Sequence, residues 1–219
     1  MDNMEGKKFV ASYSGGKDSV LAVYRALNAG LLPLGLMTTY DPGAGRSWFH
    51  GISESLLKRA AASLSIPLFL LKTSGGQYEE NFEKALTEVK THGAEVCVFG
   101  DIDIEEHLGW CTRRCENTGL TPYFPLLEDN REKLIYEFLD AGFSAVITVV
   151  NTVLLQRDFI GELLTREIVE AIKKKGADVC GENGEYHTFV FDGPVFTNKV
   201  AFSVKQSIER DGYAMLDLE

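Results

Sequence analysis

Short apolar runs alternate with stretches of helical period along the first part of the chain. Lys8–Tyr13 reads as a strand and Lys17–Ala29 as a helix ended by Gly30. Leu34–Thr39 is a second strand, and Ser53–Leu64 a helix with Ser53 placed to cap its first turn. Pro67–Lys72 and Glu95–Phe99 continue the strands; Gln77–His92 and Glu105–Thr118 continue the helices, ended by Gly93 and Gly119. Strands separated by single helices predict a parallel, doubly wound α/β sheet with helices on both faces. After Pro125 the rhythm changes. Asn130–Ala141 and Phe159–Lys175 read as helices around a strand at Ser144–Val150, and Tyr186–Phe191, Lys199–Lys205 and Tyr213–Leu218 as short strands. This divides the chain into 1–126 and a smaller α+β part, 127–219. No internal repeat or low-complexity tract interrupts it.

With 45% apolar residues the 219-residue chain can bury a sizeable core, which excludes a disordered or collagen-like protein. The net charge of −10 argues against a nucleic-acid partner, since such a field repels phosphate backbones. The polar stretch Met1–Lys8 has no apolar signal core, and no run approaches the ~18 apolar residues a membrane span needs. Four cysteines are too few for a disulfide scaffold at this length. A soluble cytoplasmic protein with reduced thiols is expected, with homo-oligomerisation left open.

Ser14-Gly15-Gly16-Lys17-Asp18-Ser19 joins the first strand to the first helix. Such a junction suits an anion, because unpaired N–H groups and the helix dipole favour negative charge there. Gly15 and Gly16 permit close approach and positive φ; Lys17 adds a point charge, Ser14 and Ser19 hydroxyls. The spacing is neither that of a Walker A loop nor of a dinucleotide fingerprint.

This loop resembles the PP-loop of the N-type ATP pyrophosphatases, which cleave ATP between its α and β phosphates. Gly181-Glu182-Asn183-Gly184-Glu185-Tyr186-His187-Thr188, followed by Asp192-Gly193-Pro194, is similar to the late signature of the diphthine–ammonia ligase family. Phe99-Gly100-Asp101-Ile102 and Phe49-His50 match that family in the expected order, so the resemblance runs from Lys8 to Ala201. It implies a HUP-like (adenine nucleotide alpha hydrolase-like) ATP-binding domain and a C-terminal substrate domain. By resemblance Ser12, Ser14, Gly15, Gly16, Lys17, Asp18 and Ser19 would hold the phosphates, with Gly100 and Asp101 beside them and backbone near Met37 and Thr38 against the adenine. Two positions depart from the family: His187 stands where it usually has Glu, and Glu162 where it usually has Arg. Both resemble its bacterial branch, and bacteria do not make diphthamide.

Other groups carry chemistry of their own. Asp101 opens an acidic run after the fourth strand, at the strand end where open parallel sheets bind ligands. It is the candidate magnesium-linked carboxylate, since Mg²⁺ takes one or two carboxylates with substrate phosphates and water. Asp41–His50 is glycine-rich and reads as a mobile lid whose Arg46 or His50 would contact phosphate, ribose or acceptor; the alternative is a solvated surface loop with Trp48 and Phe49 tucked inward. Glu182, Glu185 and His187 are candidates to orient the acceptor or ammonia, His187 as a base titrating near working pH; alternation places Glu185 and His187 on the face of Phe189 and Phe191. His107, Cys111 and Cys115 share a helix face, but no fourth ligand accompanies them, so the cysteines read as packing.

These readings imply an ATP-dependent amidating ligase that adenylates an acceptor carboxylate, releasing pyrophosphate and then AMP. Diphthine on a protein is the acceptor expected in an archaeon or eukaryote. The sequence carries no glutaminase segment, so free ammonia or a partner would supply nitrogen. A non-catalytic ATP- or AMP-binding module and a tRNA-modifying adenylase are the alternatives.

Overall fold

The computed structural model describes residues 4–47, 50–73, 75–127 and 129–219. In chain order the elements are β1 (Lys8–Ser12), α1 (Lys17–Asn28), β2 (Leu32–Asp41), β3 (Arg46–Ser47), α2 (Glu54–Leu64), β4 (Leu68–Lys72), α3 (Tyr78–Thr91), β5 (Val96–Val98), α4 (Glu105–Thr118), β6 (Thr121–Tyr123), α5 (Arg131–Asp140), β7 (Ser144–Asn151), α6 (Arg166–Lys174), β8 (Tyr186–Asp192), β9 (Val204–Arg210) and β10 (Tyr213–Leu218). Two compact units result: residues 1–14, 18–48 and 65–128 form one, and 15–17, 49–64 and 129–219 the other.

The first unit holds the parallel sheet, in the order β4-β2-β1-β5-β6, with β3 antiparallel to the end of β2. Successive strands run outward from β1 on one side, and β5 restarts on its other side. The order therefore reverses between β1 and β5, the place where an open α/β sheet leaves a crevice beyond its carboxyl ends. Apolar positions at helical spacing on α3 (Phe82, Leu86, Val89) and on α4 (Cys111, Cys115) pack with Val10, Met37 and Cys97 into one core. On the outer side of those helices Arg114 pairs with Glu79 and Glu83 and lies over the Trp110 ring.

The second unit is built on an antiparallel sheet, β8-β7-β10-β9. Its helices begin at polar caps: Asn130 accepts from the Lys133 N–H, Thr165 from the Ile168 N–H and Ser53 from the Leu56 N–H. Ser63, at the far end of α2, holds the Asn198 backbone, and Arg59 donates to the Ala201 carbonyl.

Several elements differ from their expected bounds. The helix expected over Phe159–Lys175 starts only at Arg166. Gly161 lies at φ 82°, and residues 161–164 run along β7, exchanging hydrogen bonds with Ala145 and Ile147. Pairing with an existing strand satisfies those amides before Thr165 opens the helix. The strand expected at Lys199–Lys205 begins later, at Val204, because Val200 bonds across to Phe191 instead of to β10. Two short strands went unforeseen, β3 and β6; the latter carries Pro122 on the sheet edge, where a missing N–H is tolerated. The stretch expected as a lid is, as far as Ser47, a tight hairpin return, with Asp41 accepting from the Gly43 and Gly45 amides. Trp48 and Phe49, which the surface-loop alternative tucks inward, lie outside the described residues.

Candidate functional site

In the first unit, β1 and β5 are adjacent and parallel, so Ser14 and Asp101 both follow strand carboxyl ends at the order reversal. Ser14 donates from its N–H and hydroxyl to the Ser19 Oγ, at 3.3 and 3.1 Å. Gly100 makes this arrangement possible: a Cβ there would lie 2.8 Å from the Asp18 carbonyl carbon and the Ser19 nitrogen. The chain after β5 can therefore press against the start of α1 only with glycine at this position. Burial pushes the Asp101 carboxyl above its usual pKa, against His107 and the Cys111 thiol, which favour its charged form. The Cys111 Sγ lies 3.8 Å from Asp101, and all four cysteines are buried and free. Desolvation and the Asp101 charge push the Cys111 thiol up, so it stays protonated and packs as a small apolar group.

Ser12 ends β1 opposite Met37. The Met37 carbonyl accepts from the Tyr13 N–H at 2.8 Å, and the Thr38 hydroxyl donates to the Tyr13 carbonyl at 2.5 Å. Both side chains are buried; Met37 pairs with Ser12 on β1 and Phe69 on β4, and Thr38 with Leu70 on β4. The segment expected against adenine is thus engaged in holding the turn after β1.

In the second unit, Gly15 takes φ 80°, and its carbonyl accepts from the Val190 N–H at 2.8 Å. Positive φ is found here and not at Gly16. Lys17 is 5% exposed. Its N–H donates to the Thr188 Oγ1 at 3.0 Å, and its ammonium lies 5.3 Å from the centre of the Tyr186 ring. The expectation that the loop's amides point outward unpaired fails for Lys17 and for Ser14. For Lys17 the reason is burial: a sealed amide needs an acceptor in the chain itself. Thr188 and Tyr186 were not among the expected site residues; their alternation on β8 was the available signal, since positions two apart share a face.

His187 follows Tyr186 and stacks obliquely on His50, with ring centres 4.6 Å apart. Burial and the Lys17 charge push His187 down to about 4. Burial, His187 and Lys17 hold His50 well below the ordinary imidazole value. The His50 Nδ1 is sealed from solvent with no hydrogen-bond partner among the described residues. Glu185, by contrast, is turned into its own loop. Its carboxylate accepts from the Asp178 and Asn183 amides, each at 3.0 Å, and from the Asn183 side chain at 3.2 Å. Glu182 is half-buried, with its N–H held by Asp178, which Arg131 pairs at 2.7 Å. The structure thus brings Lys17, His50 and His187 together and gives Glu185 a structural task.

Residues 7–122 match the diphthamide synthase N-terminal domain, and residues 130–216 match the diphthamide synthase C-terminal domain. The chain belongs to the diphthamide synthase family. Human diphthine–ammonia ligase is 24% identical over 218 residues, covering 88% of this chain and 82% of that protein. The Schizosaccharomyces pombe diphthine–ammonia ligase is 23% identical over 225 residues, and the match spans 37% of its length. A solved structure described as a predicted subunit of tRNA methyltransferase from Methanocaldococcus jannaschii aligns with 88% of this chain at 13% identity and a TM-score of 0.48, too loosely to bear on function. In this member of the diphthamide synthase family, the two segments that carry the resemblance meet in one unit, where the Lys17 amide is fixed by Thr188 of the late block.

Proposed function

We propose that this chain is an ATP-dependent ligase that adenylates an acceptor carboxylate, releases pyrophosphate, and transfers ammonia to the acyl group with departure of AMP. The observation that carries this reading is Lys17, a buried lysine at the first turn of α1, fixed through its own amide by Thr188. An ammonium oriented in a dry setting stabilises charge on leaving phosphate oxygens far better than one in water. Family membership supplies the second support, since the relatives are named diphthine–ammonia ligases.

In the proposed sequence an acceptor carboxylate oxygen attacks the α-phosphorus in line. The bond to the bridging oxygen breaks, and Lys17 with the Ser14 and Ser19 hydroxyls takes up charge on the departing pyrophosphate. Ammonia attacks the acyl carbon, loses a proton, and AMP leaves. His187 and His50 are both neutral at pH 7; with His187 at about 4, and so not the base near working pH that its residue type suggests, the two rings would orient ammonia by hydrogen bonding while the proton passes to solvent. Asp101 is the residue that would hold Mg²⁺: a carboxylate oxygen at the mouth of the crevice suits a hard cation. The ion would supply charge neutralisation at the phosphates. The acceptor is a carboxylate, either diphthine on a protein or, in an organism without diphthamide, another acyl group.

The test is product analysis with ATP, ammonium and candidate acceptors. AMP and pyrophosphate are expected, whereas ADP and phosphate would overturn the reading. Lys17→Ala should lower AMP formation by about 100-fold or more, with far-UV circular dichroism unchanged. Equal turnover in the variant would remove Lys17 from the mechanism. Nucleotide binding without turnover under every acceptor would favour a regulatory module.

A further inference from the structure

Strand β9 is the outermost strand of the second sheet, and all seven of its residues are exposed. Its register on β10 is fixed by a two-residue turn, Asp211 at φ 51° and Gly212 at φ 80°, closed by the pair Arg210 and Tyr213. In an antiparallel ladder backbone groups alternate between the partner strand and the free side. Arg210, Ile208 and Gln206 therefore bond to β10, and Glu209 and Ser207 present N–H and C=O outward. At the register shift between Asp217 and Leu218 the ladder steps from Gln206 to Val204, which makes Lys205 the extra residue of a bulge.

We propose that β9 pairs antiparallel with β9 of a second copy of this chain, about a two-fold axis through Ser207. The charges select this register. Centred on Ser207, Lys205 of each copy faces Glu209 of the other, giving two unlike pairs. Centring on Lys205 or Glu209 would stack like charges, which directly opposed strands avoid. Centring on Gln206 leaves Lys205 facing Ser207, and centring on Ile208 leaves Glu209 facing Ser207. Lys205 already meets Glu219 at 2.5 Å, and Glu209 meets Arg157. All four side chains are about half-exposed, and such pairs are weak enough to be shared with a partner. The contact is isologous and uses one edge per copy, so it closes at a dimer. Pairing also covers an exposed edge that carries Val204 and Ile208.

Sedimentation velocity on the full chain, over roughly a hundredfold range of concentration, tests the proposal. A concentration-dependent dimer is expected. Lys205→Glu and Glu209→Lys should each weaken it about tenfold or more, because two attractive pairs become repulsive. The double exchange, K205E with E209K, should restore it. Ser207→Pro removes an outward N–H while leaving the bonds to β10, and should weaken the dimer with the thermal midpoint little changed. A wild-type monomer at every concentration would overturn the proposal. So would a dimer indifferent to these variants, or single-variant losses that the double exchange does not repair.

Discussion

Two imidazoles beside a buried ammonium cost stability when they charge. His187 is pushed down to about 4 and His50 lies well below its ordinary value, whereas both would titrate near 6.5 in the unfolded chain. Between those values the unfolded state binds more protons, so stability falls as pH drops from about 6.5 towards 4. The thermal midpoint is expected to fall between pH 7 and pH 5, and to fall less in the double variant His50→Gln, His187→Gln. Equal losses in the two proteins would place the acid sensitivity elsewhere. Glu185 makes a different prediction. Its buried carboxylate ties three donors in the turn before β8, so Glu185→Gln should cost about 1–3 kcal/mol in urea unfolding. The Ser14–Ser19 loop was legible as a strand-to-helix junction because its residues are contiguous. The partner of the Lys17 amide was not, since Thr188 lies 171 positions away and no local pattern announces it. The structural task of Glu185 was hidden for a similar reason: the donors that surround its carboxylate are visible only in the fold.

At the scale of elements, the approach of the β5 turn to the start of α1 depends on a missing side chain. Gly100→Ala would drive a methyl group against the backbone of Asp18 and Ser19, which cannot give way like a side-chain tip. A tenfold or greater loss of ATP affinity by calorimetry is expected; unchanged affinity would mean that the loop can shift without consequence. The alternation of strands and helices was readable from period alone, and α4 and β10 have the bounds their glycine and polar flanks imply. What escaped was short or borrowed. Strands β3 and β6, of two and three residues, are below the length at which a period of two can be seen. Leu163 and Leu164 extended an apparent helical stripe, yet they serve β7, and only the cap at Thr165 marks the true beginning of α6.

For the molecule as a whole, family membership and the parallel sheet agree with the α/β reading, and among the described residues no helix is long and apolar enough to cross a membrane. The polypeptide enters the second unit for three residues, Gly15–Lys17, and again for 49–64, before joining it finally at 129. Those three residues hang from β8 by the Gly15 carbonyl and the Lys17 amide. Severing the gene at position 128 would therefore leave Gly15–Lys17 on the front half and the strand that holds them on the discarded piece. Any attempt to transplant the loop between β1 and α1 into another protein has to bring strand β8 along.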